Sequence, residues 1–444
     1  MEVFVKVLFI SLGCDKNLAD SEEMLGILKN KSYEFTDDER EAEVIIVNSC
    51  CFIQDAKEES INTILEMAQC KIHFQCKALI VTGCLAQRYK EEIYKEIPEV
   101  DAVLGTTSFD AISEAVEEAL KGSRPQIFKD LNRLPDIKTD RIVTTGGYYA
   151  HLKIAEGCDK HCTYCIIPKI RGNYRSIPME KLIHQAEVLA KKGVKELILV
   201  AQETTMYGSD IYGEKSLHKL LKKLCRIDGI TFIRLLYCYP EEIYDELIQT
   251  IKEEKKICHY IDMPIQHCND RILKKMGRRT NKQEIVEIVE KLRREIPDII
   301  IRTTLITGFP SETEEEFHEM MEFVDDMEFD RLGVFVYSPE EGTPAASFEC
   351  QIDDDVKADR QCGLMELQQE IAFEKSGEKV GKEMLAVIEG MVADENAYIG
   401  RTYMDAPDMD GYVFIHTGEA LMTGDFVRVK ITGASDYDLI GELV

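Results

Sequence analysis

Residues 155–165 read AEGCDKHCTYC, which places Cys158, Cys162 and Cys165 in the pattern C-x3-C-x2-C. Three thiolates at this spacing can hold three corners of a four-iron, four-sulfur cluster, because cysteine thiolates are the protein ligands of such clusters. The fourth iron would then lack a protein ligand and would be open to a small molecule, much as a catalytic zinc keeps an open position. The triplet therefore predicts an iron–sulfur enzyme.

A zinc knuckle is the alternative interpretation of the same triplet. Structural zinc is usually held by two cysteine pairs, or by a cysteine pair together with histidines, and the sequence has no second pair nearby. His161 stands inside the loop, where its ring would be cramped as a fourth ligand. The spacing therefore favours the iron–sulfur interpretation.

The composition indicates an intracellular enzyme of two or three domains. The chain has 444 residues, of which 45% are hydrophobic, enough for ordinary packed cores. Fifteen cysteines, an odd number, argue against a secreted disulfide framework. The start from Val3 to Cys14 resembles a lipoprotein signal only weakly, because Lys6 interrupts its apolar run. We therefore expect a cytoplasmic protein with no membrane segment.

The net charge bears on the class of partner. Lysine and arginine number 54 against 82 aspartates and glutamates, a formal charge of −28. A protein that binds RNA normally carries a basic face to neutralise phosphates. A local basic patch is compatible with this total, but the average favours a basic partner, most simply a protein.

The first 122 residues alternate strands and helices, which predicts an open, mostly parallel α/β sheet. Cys14, Cys50 and Cys84 follow the first three strands, and the carboxyl ends of parallel strands meet at one edge. We therefore expect these three cysteines to hold a second metal cluster. The alternative is three half-buried thiols in turns, since cysteine is common in cores. The three strands are predicted at Val3–Ile10, Val44–Asn48 and Ala78–Thr82.

Residues 123–143 are predicted to be a linker, and residues 144–376 to form an incomplete (β/α)6 parallel barrel. The group Cys158, Cys162 and Cys165, which we call the first triplet, follows the first barrel strand. It therefore stands at the end where catalytic loops of such barrels lie. The barrel strands are predicted at His151–Ala155, Glu196–Ala201, Phe232–Leu236, Tyr260–Met263, Ile299–Leu305 and Arg331–Val336.

Residues 381–444 contain short strands with turn signals, which predict a small β-barrel of the oligonucleotide-binding type. Four basic and twelve acidic residues give this segment a charge of −8, which would repel phosphate. We expect it to dock a basic protein, with Asp405, Asp408 and Asp410 contributing to that attraction. The alternative is an acidic surface that is only solvated.

Tyr164 directly precedes the last cysteine of the first triplet, and in this it resembles the radical S-adenosylmethionine superfamily, whose signature has an aromatic residue there. Nearly the whole chain resembles a methylthiotransferase of that superfamily, with an amino-terminal cluster domain, a radical core and a TRAM-type barrel. It is closest to the subfamily that modifies an aspartate of small-subunit ribosomal protein S-twelve. The motifs that carry the resemblance are SLGCDKN at 11–17, residues 158–175, VAQETT at 200–205, MPIQH at 263–267 and YSPEEGTP at 337–344.

The resemblance implies two 4Fe-4S clusters, one on each cysteine triplet, and S-adenosylmethionine bound at the open iron of the first. A flavodoxin- or ferredoxin-like donor would supply the electron that cleaves this cofactor to a radical. The radical would take a hydrogen from the aspartate β-carbon, and the second cluster would deliver a methylated sulfur. Tyr164 is expected against the adenine, Gln202 and Glu203 near the cofactor amine, and Gln266 near the ribose. No catalytic side chain beyond the clusters is expected.

Two residues depart from the family pattern. Cys51 stands where the family usually has glycine after Cys50, and Ser311 replaces the second glycine of a loop near the expected cofactor. We expect Cys50 to be the ligand, and Cys51→Gly to keep both clusters and to stabilise the loop slightly. Two other functions remain open. One is the same chemistry on a tRNA adenosine, although direct binding of tRNA is not expected. The other is a non-catalytic, zinc-stapled acidic binding module.

Overall fold

The computed structural model describes residues 5–392 and 396–444. Residues 3 and 4 of the first predicted strand, and Asp394 and Glu395 of the carboxyl-terminal charge count, lie outside the described residues. Among the described helices, none combines the length and apolar composition that crossing a bilayer requires.

The strands are β1 (Lys6–Ser11), β2 (Glu34–Phe35), β3 (Val44–Ser49), β4 (Ala78–Gly83), β5 (Ala102–Leu104), β6 (Gln126–Ile127), β7 (Tyr149–Lys153), β8 (Ala155–Glu156), β9 (Arg175–Ser176), β10 (Glu196–Val200), β11 (Phe232–Leu235), β12 (Ile257–Asp262), β13 (Ile300–Thr307), β14 (Arg331–Val336), β15 (Glu383–Met391), β16 (Ala397–Thr402), β17 (Val413–His416), β18 (Phe426–Ser435) and β19 (Asp438–Leu443).

The α-helices are α1 (Asp15–Asn30), α2 (Gln54–His73), α3 (Cys84–Glu96), α4 (Ile112–Leu120), α5 (Ile167–Arg171), α6 (Met179–Lys191), α7 (Ser209–Tyr212), α8 (Leu217–Leu224), α9 (Asp245–Glu253), α10 (Asp270–Lys275), α11 (Lys282–Glu295), α12 (Glu314–Met327) and α13 (Asp354–Gly377).

The chain divides into two compact units, which we describe separately. The first unit comprises the chain up to Thr144 together with residues 155–177 and 340–346. The second comprises residues 145–154, 178–339 and 347–444.

The first unit is built on a six-stranded sheet in the order β2-β1-β3-β4-β5-β6, and its recorded strand pairings are parallel. The central strands β3 and β4 are buried along their whole length, as expected for apolar runs in a parallel sheet with both faces covered. The predicted open α/β sheet is confirmed. Part of the predicted linker belongs to this unit, because β6 adds a strand and Lys129 and Arg133 form ion pairs with Asp110.

The second unit contains six parallel strands in the order β14-β13-β12-β11-β10-β7. This order matches the predicted incomplete barrel, with β7 and β14 at its edges. Strands β15 to β19 form a separate closed barrel in the order β15-β16-β17-β19-β18, which confirms the predicted small β-barrel. The two sheets share one apolar core, in which Val200 and Phe232 pack with Val387 and Ile415.

A buried ion-pair network joins the small barrel to the parallel sheet. The side chains of Glu196, Arg234 and Arg401 are fully buried. Arg401 Nη2 donates to Glu196 Oε2 at 2.6 Å, and Arg234 Nε donates to Glu196 Oε1 at 2.9 Å. Arg401 Nε also donates to Glu389 at 2.9 Å. Arg401, one of the four basic residues of the small barrel, is therefore buried in ion pairs inside the protein.

Two of the three aspartates expected on the acidic docking surface, Asp405 and Asp410, instead have buried side chains that form contacts within the second unit. Asp405 is 2% exposed and accepts a hydrogen bond from Arg331 Nη2 at 2.6 Å. The buried side chain of Asp410 pairs with Arg302 at 3.3 Å and accepts from Tyr260 at 2.7 Å.

Asp408 is exposed but accepts a hydrogen bond from the Tyr149 hydroxyl at 3.1 Å. In the described part of the barrel, five acidic and three basic residues are exposed, so the surface carries a smaller negative excess than the −8 of the whole segment. They are Glu383, Asp408, Glu419, Asp436 and Glu442, against Lys382, Arg428 and Lys430.

Replacing Glu196 with glutamine should destabilise the second unit, because Arg234 and Arg401 would remain buried without the carboxylate that they share, although Arg401 would keep its bond to Glu389. Breaking a buried ion pair in this way costs about 3–5 kcal/mol of unfolding free energy. Burial opposes ionisation of Glu196, but Arg401 and Arg234 outweigh it and lower the pKa of the carboxyl. The stabilisation is therefore complete at neutral pH and declines as the pH falls below the usual carboxyl range.

Urea unfolding followed by circular dichroism measures this effect, with Glu442→Gln as the matched control on the exposed surface of the barrel. An equal loss in both variants, or no loss in Glu196→Gln, would contradict the assigned role of the network.

Candidate metal centre

The cysteines Cys14, Cys50 and Cys84 meet at one edge of the first sheet. Cys14 is the N-cap of α1, Cys50 follows β3, and Cys84 begins α3 directly after β4. Cys50 and Cys84 are buried, and Cys14 is exposed. Burial raises the pKa of the Cys84 thiol and Arg171 lowers it, while the neighbouring Cys51, Cys50 and Cys14 raise it further. The structure therefore brings together three residues that are far apart in the sequence.

Two glycines permit this close approach. Gly13 has φ +88°, and a β-carbon on it would lie 2.7 Å from Cys50 Sγ. Gly83 has φ +91°, and a β-carbon there would lie 2.4 Å from both Asn48 Oδ1 and the Ser49 carbonyl oxygen. A side chain at Gly13 would therefore collide with Cys50, and one at Gly83 would collide with the end of β3 that leads into Cys50.

The first triplet lies in the turn between β8 and α5. The Cys158 amide donates to the Gly172 carbonyl at 3.1 Å, and the Cys165 amide donates to the Cys162 carbonyl at 3.0 Å. Burial raises the pKa of the Cys165 thiol, and Cys162 and Cys158 raise it further. His161 has φ +53°, a left-handed conformation that turns the chain between the cysteines.

The donor sets fit iron–sulfur clusters better than zinc. Each group offers three cysteine sulfurs, the set that leaves one iron of a four-iron cluster open, whereas structural zinc is normally bound by four ligands. Across residues 5–392 and 396–444, no three His, Cys, Asp or Glu side chains are arranged to hold a single metal ion. A four-iron cluster is larger than one ion, and its ligand sulfurs lie correspondingly further apart.

Arg171, at the end of α5, is a site residue that sequence reasoning missed. It is 1% exposed, and its Nη2 atom lies 3.5 Å from Cys84 Sγ. The position of Arg171 within the motif at 158–175 could have marked it as functional, but nothing in the sequence spacing indicates that it lies next to Cys84. The helix that follows the first triplet therefore supplies a cation to the second.

The other predicted cofactor residues lie in different parts of the chain. Tyr164 is half-buried in the first unit, within the turn of the first triplet. Gln202 and Glu203 follow β10 in the second unit, and Gln266 follows β12. All three therefore stand at carboxyl ends of parallel strands, where ligands of such sheets bind.

Their local contacts differ. Gln202 Oε1 is buried and has no hydrogen-bond partner among the described residues. Glu203 is 1% exposed, and its Oε1 atom accepts from the Thr205 amide at 3.1 Å, which fixes the carboxylate against its own loop. Gln266 has φ +73°. Its amide donates to the Thr304 carbonyl of β13, and its carbonyl accepts from the Ile306 amide of the same strand, both at 2.8 Å.

Comparisons with known proteins agree with this architecture. Three family models match the chain: the uncharacterised protein family UPF0004 at residues 6–105, the radical SAM superfamily at 152–324, and the TRAM domain at 380–444. The ribosomal protein uS12 methylthiotransferase RimO of Lachnoclostridium phytofermentans is 62% identical over 98% of this chain and 99% of its own length. RimO of Acetivibrio thermocellus is 52% identical over 99% of this chain and 98% of its own.

The chain belongs to the RimO family. This confirms the resemblance to radical methylthiotransferases and, within them, to the subfamily that modifies the ribosomal protein.

More distant solved structures share the fold with this RimO family member. The radical S-adenosylmethionine methyltransferase TsrM from Kitasatospora setae is 14% identical, with a TM-score of 0.56 over 77% of this chain and 74% of that one. The cobalamin-dependent radical enzyme OxsB is 12% identical, with a TM-score of 0.50 over 82% of this chain and 56% of that one. At these identities the likeness concerns the fold alone.

Cys51, where the resemblance leads us to expect glycine, is a core residue. It is fully buried among Ile64, Val81 and Leu85, and its φ is not among the positive values. Burial raises the pKa of its thiol to about 11. The expectation that Cys51→Gly would stabilise the loop is therefore wrong, because the glycine would relieve no strain and would leave a cavity.

Cys51→Ala should retain the iron content of the parent protein, because Cys51 packs in the core, whereas Cys50→Ala should lose the second cluster. Cys51→Gly should be less stable than Cys51→Ala by about 0.5–1 kcal/mol, since glycine has greater backbone freedom when unfolded. Iron analysis after anaerobic reconstitution and urea unfolding measure the two effects. Loss of iron in Cys51→Ala, with full iron in Cys50→Ala, would reverse the ligand assignment.

Proposed function

We propose that this protein transfers a methylthio group to the β-carbon of an aspartate in ribosomal protein uS12. The observation that carries the proposal is that a member of the RimO family has two cysteine triplets in one compact unit. A tight turn brings together Cys158, Cys162 and Cys165, and the order of the sheet brings together Cys14, Cys50 and Cys84. One triplet follows the first barrel strand and the other the edge of the amino-terminal sheet.

The chain's own residues provide position and exclusion of water. Cys158, Cys162 and Cys165 would hold one 4Fe-4S cluster, and a second would be held by the three cysteines at the sheet edge, Cys14, Cys50 and Cys84. When bound, these groups and S-adenosylmethionine supply the radical cleavage and the sulfur that is transferred. Cys50, Cys84, Cys158 and Cys162 are buried, whereas Cys165 is half-buried and Cys14 is exposed, so solvent is excluded from four of the six cysteines.

We further propose that Tyr164, Gln202, Glu203 and Gln266 contact S-adenosylmethionine. The buried, unpartnered Oε1 of Gln202 supports this, because a buried acceptor without a donor is costly, and the cofactor amine is a suitable donor. Glu203 would offer a carboxylate that Thr205 already orients.

The partners proposed are the ribosomal protein and a low-potential donor of the flavodoxin or ferredoxin type, in the cytoplasm. A tRNA substrate is the second candidate. It is not favoured, because Arg401 is buried in ion pairs and the exposed barrel residues that are described form no basic face. The family and the overall charge of −28 support a protein substrate.

Reconstituted protein should contain about eight irons, as expected for two four-iron clusters. Replacing Cys158, Cys162 and Cys165 with alanine should leave about half, because the second triplet has its own backbone supports at Gly13 and Gly83. Iron and sulfide analysis, with Mössbauer spectra, measures this. Iron that falls to nothing in the triple variant, or a parent protein with about four irons, would contradict an independent second site.

Anaerobic incubation with S-adenosylmethionine, a reductant and purified uS12 should give a methylthio adduct on one aspartate, measured by peptide mass spectrometry. Cys158→Ala should abolish cleavage of S-adenosylmethionine, whereas Cys84→Ala should permit cleavage and form no adduct. Unmodified tRNA serves as the competing substrate. An adduct on tRNA alone would overturn the proposed substrate, and an adduct formed by Cys84→Ala would overturn the role of the second triplet.

A further inference from the structure

Arg171 stands between the two cysteine triplets of the first unit and has polar contacts with residues around both. Its Nη2 atom donates to Asn17 Oδ1 at 3.0 Å and lies 3.5 Å from Cys84 Sγ. Its Nη1 atom donates to Asp20 at 2.7 Å and to Glu156 at 3.3 Å. Both amino groups of the guanidinium are therefore engaged, and one of them faces a sulfur.

The backbone of Arg171 is fixed by the segment that carries the first triplet. Its carbonyl accepts from Arg175 Nη2 at 3.0 Å. The next carbonyl, that of Gly172, accepts from the Cys158 amide at 3.1 Å, and the preceding one, that of Ile170, accepts from Thr106 Oγ1 at 2.6 Å. The turn that holds one group of cysteines thus also presents a guanidinium to the other.

We propose that Arg171 is a positioning residue for the second cluster. Its hydrogen bond holds the Cys84 sulfur in place, and this bond and the fixed charge of the guanidinium together raise the reduction potential of the cluster. The proposal rests on the assignment of Cys14, Cys50 and Cys84 as ligands in the proposed function.

The charge of Arg171 is permanent at this site. The arginine side chain stays protonated in proteins at ordinary pH, and Arg171 pairs here with the carboxylates of Asp20 and Glu156. Arginine also binds with a rigid fork of donors, which suits it to orient a carboxylate and a sulfur at once. In a buried site with little water, a unit charge acts on its neighbours far more strongly than at the surface.

A cation beside a ligand sulfur favours the reduced state of a cluster, because reduction adds a negative charge. Hydrogen bonds to the sulfurs and the local net charge are the means by which proteins set cluster potentials. Removing the guanidinium would also leave Asp20 and Glu156 without this partner, which adds negative charge near the cluster. Both effects lower the potential.

The test is a redox titration, followed by electron paramagnetic resonance, on the full chain with Cys158, Cys162 and Cys165 replaced by alanine. Only the second cluster then contributes to the signal. Arg171→Gln should lower the ratio of reduced to oxidised cluster at a given potential at least tenfold, a shift of about 59 mV for one electron. Arg171→Lys keeps the charge without the fork, and should restore most of the potential.

Two further variants separate electrostatics from folding. Asp20→Asn removes a negative charge from the same network, and should shift the potential in the opposite direction to Arg171→Gln. Arg133→Gln removes a guanidinium that pairs with Asp110 in the same unit, and should leave the potential unchanged. A structural disturbance has no reason to give opposite signs for Arg171 and Asp20.

The outcomes distinguish the proposal from the assignment on which it rests. If the parent of this series holds no cluster, the ligand assignment fails. If the cluster forms and Arg171→Gln changes the ratio less than twofold, the role of Arg171 fails. If Arg171→Gln cannot hold iron, the reduction potentials of Arg171→Lys and Asp20→Asn decide the role of Arg171. A shift of the potential in the same direction in both variants overturns the proposal.

Discussion

Parallel pairing of β1, β3 and β4 in register brings together the cysteines that the sequence separates by 36 and 34 residues. Ser11 pairs with Asn48, and Ser49 with Gly83, so the three strands end at nearly the same level. The chain therefore leaves the sheet at three neighbouring points, and a cysteine stands at each. A slip of β4 by one residue would turn Cys84 to the other face of the sheet. Contacts at the strand ends are specific to this register: the Ser49 hydroxyl donates to the Thr82 carbonyl, and the absence of a side chain on Gly83 leaves room for Asn48 and Ser49.

Buried arginines do comparable work in both units. Arg171 contacts two carboxylates and a sulfur in the first unit, and Arg401 contacts Glu196 and Glu389 in the second. Replacing such pairs by apolar residues is often neutral for stability, so their presence is better explained by geometry. A guanidinium with several fixed acceptors has one orientation, and the elements that carry the acceptors are then held in one arrangement.

The sequence was sufficient for the fold and for the cysteine groups, because both follow from short-range patterns. Strand periodicity predicted the parallel order, and each cysteine could be placed from the strand before it. Arg171 and the acidic residues of the barrel could not be placed in this way. Whether Asp405 faces solvent depends on Arg331, 74 positions away, and a count of charges has no information on such pairs.

The two departures from the family's glycines show why residue type alone is insufficient. At Cys51 the backbone is not left-handed, so a side chain is accommodated and packs in the core. At Ser311 the backbone is left-handed, with φ +71°, a conformation that costs a non-glycine residue about 1–2 kcal/mol.

The surroundings impose this conformation on Ser311. The fully buried carboxylate of Glu312 accepts from the Gly308 amide at 3.1 Å and from Arg360 Nη1 at 2.7 Å. The Ser311 hydroxyl in turn accepts from Arg271 at 3.2 Å. A strained residue persists where its neighbours over-determine its conformation. The loop after β13 therefore keeps the shape that glycine would give it, because Glu312, rather than residue 311, determines that shape.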